Sequence, residues 1–130
     1  MKYHVTKSEE EILFVMWNAG RPLSRADILS LSTEKNWHDN SVHILLNSML
    51  EKGLIDSPDF VRSGKVWARV YEPTFSMKDY CIDLFSTLGW PDPFEFLEYV
   101  FSREDCSVEV IDKILEVVVS RKQELAASHT

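Results

Sequence analysis

The sequence predicts a mainly α-helical fold with one small β-hairpin, on three observations. Apolar residues recur at helical spacing in three successive segments before Gly53. Between Leu54 and Tyr71 the pattern changes to β-branched and aromatic residues around a turn at Arg62-Ser63-Gly64-Lys65, and helical spacing returns from Ser76 to near the C-terminus.

A first helix is expected over about Lys7 to Ala19. Thr6 and Glu9 have the spacing of a capping box, Ile12, Leu13, Met16 and Trp17 make one apolar stripe, and Gly20 before Arg21-Pro22 offers a left-handed stop. Ser24 with Asp27 opens a second, short helix with Ala26, Ile28 and Leu31 facing inward, ended at Ser32-Thr33. Asp39, Asn40 or Ser41 caps a third, in which Val42, Leu45, Leu46, Met49 and Leu50 form a tight apolar face before Gly53. In the hairpin, Pro58 cannot donate to a ladder, so the first strand is interrupted near Ser57-Pro58-Asp59. Val66, Ala68 and Val70 alternate with Trp67, Arg69 and Tyr71, which packs one face on the helices and leaves the other partly exposed.

Beyond Glu72-Pro73-Thr74 the chain reads as helical. Tyr80, Leu84 and Leu88 mark one segment, Gly89-Trp90-Pro91-Asp92-Pro93 breaks it, and Phe94 to Phe101 forms a second. Ser107 then caps a last helix carrying Val108, Ile111, Ile114, Leu115 and Val118, before a polar tail from Glu124 that is expected to fray.

With 130 residues, 45% hydrophobic and 27% charged, the composition is globular and long enough for one domain or two small lobes. No apolar run approaches the ~20 residues that span a bilayer. The stretch from Met1 to Lys7 lacks an apolar signal core, so a cytoplasmic protein without a membrane partner is expected. The formal charge of −7, from 14 Lys/Arg and 21 Asp/Glu, argues against a protein that holds nucleic acid by bulk electrostatics alone. Its distribution is uneven. Residues 1–75 carry nine Lys/Arg and ten Asp/Glu, whereas residues 76–130 carry five and eleven. Two lobes with different roles are expected, 1–75 and 76–130.

Catalytic and metal chemistry finds little to rest on. His4, His38, His43 and His129 lack the spacing that metal sites use, and Cys81 and Cys106 read as inert thiols in helical segments. Glycine-rich phosphate loops and Ser-His-Asp patterns are missing from the sequence. An enzyme is not expected, nor a metal or other cofactor.

Three helices followed by a hairpin is the order of a winged helix, in which the third helix enters the major groove and the wing touches backbone or minor groove. The base-reading candidates are Asn40, Ser41, His43, Ile44 and Asn47: Asn and His can bond to base edges and Ile can touch a thymine methyl. Ser48, Arg62, Lys65 and Arg69 are the candidates for the DNA backbone. The tail holds more large apolar groups than such short helices bury alone. A homodimer is therefore expected, through Leu84, Phe85, Phe94, Leu97, Phe101, Ile111 and Leu115.

Several short motifs carry a family resemblance. They are Thr6-Lys7-Ser8-Glu9 leading to Ile12 and Met16-Trp17, then Pro22-Leu23-Ser24, Trp37 before Ser41-Val42, Leu45-Leu46-Asn47, Leu50 to Ile55, and Tyr71-Glu72-Pro73. In this order and spacing the chain resembles the penicillinase-repressor family, with a looser match through Met77 to Tyr80 and Ser107-Val108-Glu109. The resemblance implies a homodimeric winged-helix repressor whose residues up to about Phe75 bind DNA and whose helical tail dimerises. It departs from the family where Ser48 replaces a usual basic residue, and in lacking an Asn-Phe pair between the tail helices and any Cys-x-Cys motif. Cleavage at such a bond and metal sensing are therefore not carried over.

The expected function is a dimeric DNA-binding transcriptional regulator, a repressor on a palindromic operator. Its half-sites would lie about one helical turn, ~34 Å, apart or a multiple of it. The alternative is a winged helix that serves as a protein-interaction module and has lost sequence-specific DNA binding, motivated by the charge of −7 and the cation-poor third helix.

Overall fold

The computed structural model describes residues 2–89 and 92–128; Trp90 and Pro91, in the middle of the break expected over residues 89–93, and His129 lie outside them. Helix α1 spans Lys7–Ala19 and opens on the capping box. The Thr6 hydroxyl accepts the Glu9 N–H at 3.3 Å, and a Glu9 carboxylate oxygen accepts the Thr6 N–H at 2.9 Å. Gly20 ends the helix at φ +68°, a left-handed conformation that costs glycine little.

A second capping box, Ser24 with Asp27, starts α2 (Arg25–Leu31). Ile28 is its buried contact, while Ala26 and Leu31 stand exposed, against expectation. At ~100° per residue Ala26 lies on the far side of the helix from Ile28, and Leu31 belongs to the final turn. The expected side-chain cap of α3 is replaced by a 3₁₀ turn over Asp39–Ser41, in which the Ser41 N–H reaches the His38 carbonyl at 2.8 Å. Helix α3 then runs Val42–Glu51, with Val42, Leu46 and Met49 buried at i, i+4 and i+7.

Four short strands make an antiparallel sheet around the longest of them: β1 (Leu23–Ser24), β2 (Ile55–Asp56), β3 (Phe60–Ser63) and β4 (Val66–Pro73). β4 pairs with each of the others, at Leu23↔Tyr71, Ile55↔Pro73 and Phe60↔Arg69. The strand is interrupted at 57–59, where Pro58 has no N–H to give. There the Ser57 hydroxyl donates to the Val70 carbonyl at 2.9 Å and the Val70 N–H to the Asp59 carbonyl at 3.1 Å. The β3–β4 hairpin turns on Gly64-Lys65, with Gly64 at φ +65° in the first central position, as a type II′ turn requires. Only the base of the hairpin packs on the helices: Val70 is buried, but Val66 and Trp67 are exposed, so neither face of the distal half is covered.

The core gathers Ile12, Leu13 and Met16 of α1, Ile28 of α2, Val42, Leu46 and Met49 of α3, and Leu23, Leu54, Ile55 and Trp37. Each such side chain contributes about 1.5–3 kcal/mol on burial, so α3 is seated by its apolar stripe and presents the opposite side outward.

Contacts divide the chain into two units, residues 1–88 and 89–130. The first runs past the expected boundary at residue 75 because α4 (Met77–Thr87) packs onto α1. Tyr80 is buried in an aromatic cluster with Tyr3, Phe14, Trp17 and Phe75, and its hydroxyl donates to Glu10 at 2.5 Å. Trp17 Nε1 donates to the Phe75 carbonyl at 3.0 Å, and the N–H groups of Lys2 and Tyr3 donate to Asp83. The second unit holds α5 (Pro93–Phe101), capped by Asp92, and α6 (Val108–Ser128), capped by Ser107. α6 continues through the segment expected to fray: Glu124-Leu125-Ala126-Ala127 are strong helix formers, and Arg121 pairs with Glu124 one turn on. Among its described residues whose exposure is assigned, none is buried. No described helix is long and apolar enough to cross a membrane.

Candidate nucleic-acid interface

The exposed side of α3 carries His43, Ile44, Asn47 and Glu51, with Ile44 at 62% exposure. Asn40 is exposed in the preceding 3₁₀ turn, and Ser41 is half-buried. Beside this face a cleft of about 320 Å³ lies between the start of α2, α3 and β4. Arg25, His43, Asn47, Arg69 and Tyr71 line it, so two residues expected to read bases share one concavity with two arginines.

The wing cations are placed by the ribbon. Arg62 and Lys65 are exposed near its tip, and Arg62 Nε donates to the Gly64 carbonyl at 3.2 Å. Arg69, at its base, donates through Nε to the Ser57 hydroxyl at 2.7 Å and stacks its guanidinium over the Tyr71 ring at 5.5 Å. Among the described residues, none of Arg25, Arg62, Lys65 and Arg69 belongs to an ion pair. Their charges are free for anionic ligands.

Ser48 behaves differently from its sequence assignment to the DNA backbone. Its hydroxyl turns inward and donates to Glu9 Oε2 at 3.1 Å. Glu9 is 1% exposed, and its Oε1 also accepts Lys52 Nζ at 2.7 Å. Burial alone would push the Glu9 carboxyl up, but the Lys52 ammonium and the Thr6 hydrogen bonds outweigh it and hold the group below its usual value. Glu9 thus ties the first turn of α1 to the end of α3. Position 48 borders the outward arc of the helix, and spacing alone did not reveal a buried acceptor 39 residues earlier.

Arg25 was missed by sequence reasoning, although it left a signal. It occupies the first turn of α2, where the helix dipole disfavours a cation, so a positive charge there calls for a reason other than helix stability. Of the residues expected at a dimer contact, Leu84 and Phe85 are half-buried on α4, within the first unit. Phe101 is half-buried on α5, while Phe94, Leu97, Ile111 and Leu115 are exposed on α5 and α6. Among the described residues, no cluster of three or more His, Cys, Asp or Glu side chains could hold a metal ion.

A protein-family model described as penicillinase repressor matches residues 5–87. The match begins just before the Thr6 capping box and ends with α4, so it spans the first unit and stops short of α5 and α6. No curated protein matches the chain.

Proposed function

The chain belongs to the penicillinase repressor family, whose members are DNA-binding transcriptional regulators, and from that premise we propose that it is a homodimeric repressor of a palindromic operator. One observation carries the reading: a single cleft brings His43 and Asn47 of α3 together with Arg25 and Arg69, so groups able to read base edges adjoin unpaired cations. In this arrangement α3 enters the major groove with Asn40, Ser41, His43, Ile44 and Asn47 toward the bases. Arg25, Arg62, Lys65 and Arg69 meet phosphates on either side. The second unit supplies the twofold contact. Phe94, Leu97, Ile111 and Leu115 are large apolar side chains exposed on two helices that have no buried residue among those described, and a second copy would cover them.

Binding to duplexes selected from a random-sequence library, measured at two salt concentrations, tests the reading. Asn47→Ala should lower the preference for the selected site over random duplex by about 1–3 kcal/mol, leaving random binding unchanged. No duplex bound even at low salt would refute it. In that event the absence of Lys and Arg from the outward face of α3, with Ile44 exposed there, favours the protein-interaction alternative.

A further inference from the structure

The cleft beside α3 has a shape that duplex binding does not require. Its volume of about 320 Å³ stands at the lower end of the ~300–1,000 Å³ that small-molecule sites occupy, and it recedes between the start of α2, α3 and β4. A duplex meets the exposed arc of α3 and needs cations beside it, not a recess. The lining is divided by chemistry. Buried Leu46 and half-buried Tyr71 supply apolar surface, and Arg25, His43, Asn47 and Arg69 bring polar groups from three elements. A phosphate is polar on every side and gains nothing from an apolar wall. Arg69 is also set in place before any ligand arrives. Its Nε donates to the Ser57 hydroxyl at 2.7 Å and its guanidinium stacks over the Tyr71 ring, so little side-chain freedom is left to lose on binding. Among the described residues, its terminal nitrogens and the side chains of Arg25, His43 and Asn47 have no hydrogen-bond or ion-pair partner. Two free guanidiniums on one small cleft call for two carboxylates, and the apolar wall calls for a flat hydrocarbon body to carry them.

Resting on the duplex-binding reading above, we propose that this cleft is also an effector site for a small aromatic dicarboxylate. One carboxylate meets Arg25 and the other Arg69, the ring lies against Leu46 and Tyr71, and His43 and Asn47 hydrogen-bond to the carboxylate oxygens. The groups that would hold the ligand are the ones assigned to the duplex, so the two compete. The small molecule therefore acts as an inducer that releases the operator by occupying the reading site itself, and no change of shape in the rest of the chain is needed.

The test titrates isophthalate into the isotope-labelled full chain, with chloride adjusted to hold ionic strength fixed. NMR should show saturable shifts at Asn47, His43 and Arg69, with a dissociation constant of about 1 mM or tighter. Glutarate, which has the two charges without the ring, and benzamide, which has the ring without the charges, should each bind about fivefold or more weakly. Arg25→Gln and Arg69→Gln should each weaken isophthalate by at least about fivefold, and circular dichroism shows that both are folded. Isophthalate should release a selected duplex at concentrations that track its own constant, while glutarate at equal concentration and ionic strength releases little. Absence of saturable shifts at these residues overturns the proposal. So does glutarate matching isophthalate, which would reduce the site to a contact for any anion, and so does a duplex that stays bound when isophthalate is saturating. Failure of the duplex-binding reading looks different: no duplex is recovered at low salt while isophthalate still saturates the cleft, and the release step falls with that reading.

Discussion

Replacing Glu9 should unseat α3 from the wrong side, because this carboxylate is the polar anchor beneath its C-terminal end. Both oxygens are engaged: Oε1 accepts the Thr6 N–H at 2.9 Å and Lys52 Nζ at 2.7 Å, and Oε2 accepts the Ser48 hydroxyl at 3.1 Å. Breaking a fully buried ion pair by removing one partner costs ~3–5 kcal/mol. Here the Lys52 side chain keeps 33% of its surface in water and can rehydrate, which lowers that figure. The reciprocal half of the capping box is lost as well, at ~1 kcal/mol. Glu9→Ala should therefore cost about 2–4 kcal/mol, and Glu9→Gln, which keeps an acceptor of the same shape, about half of that. With a urea slope of ~2 kcal/mol/M, the midpoint of the full chain should fall by roughly 1–2 M for alanine.

The same carboxylate makes stability depend on acid. Its pKa is lowered in the folded state, so its contribution is complete above the ordinary value of 4.5 and disappears as pH falls through the folded value. The wild-type advantage over Glu9→Gln should shrink below about pH 4.5 and vanish in stronger acid. A Glu9→Ala midpoint within about 0.3 M of wild type, or a wild-type advantage over Glu9→Gln that persists unchanged to pH 2, would refute the reasoning.

Three further outcomes follow from the geometry. Tyr80→Phe removes the hydroxyl that donates to Glu10 and should cost about 1–2 kcal/mol in urea unfolding. Burial, and then the bond to Glu10, raises the Tyr80 phenol, so the wild type should also lose stability as pH climbs past 10.0, a decline the Phe variant should show less of. Leu115→Glu should convert a sedimenting dimer to a monomer with unchanged helix content; a wild-type monomer, or a dimeric variant, would exclude α6 from the contact. Arg25→Ala should weaken binding to all duplexes alike and reduce the salt slope by about 0.9 per protomer, read from affinities across a salt series.

Local chemistry was legible in the sequence, and long-range chemistry was not. The Thr6 and Ser24 capping boxes, the apolar stripe of α3, the gap at Pro58 and the Gly64 turn each depend on residues within a few positions of one another, and each appears where the spacing put it. Strand β1 escaped notice because two residues, Leu23 and Ser24, carry no period, and their partners Tyr71 and Val70 lie far along the chain. Distance likewise hid the inward turn of Ser48 onto Glu9 and the attachment of α4 through Tyr80 to Glu10. Within the candidate site, the outward arc of α3 and the wing cations could be read directly. Arg25 could not, since its membership of the cleft depends on how α2 meets β4.

The net charge of −7 counts carboxylates that already have partners together with those that do not. In the first unit, Glu9 is held by Lys52, Ser48 and Thr6, Glu10 by Tyr80, Glu11 by Asn36, and Asp27 by Ser24 and Arg21, while Asp39 pairs with Lys35. These carboxylates are occupied in fastening α1, α2 and the loop before α3. Among the described residues, Arg25, Arg62, Lys65 and Arg69 have no ion-pair partner. At physiological salt a charge is felt over ~8 Å, so a phosphate at the cleft responds to the groups around it, Arg25 and Arg69 among them, and not to the sum over the sequence. If each of Arg25, Arg62, Lys65 and Arg69 meets one phosphate in both protomers, log K should fall against log salt with a slope near −7, at ~0.9 per contact. Net charge alone predicts no attraction to be screened, so a slope close to zero would show that the free cations do not face the duplex.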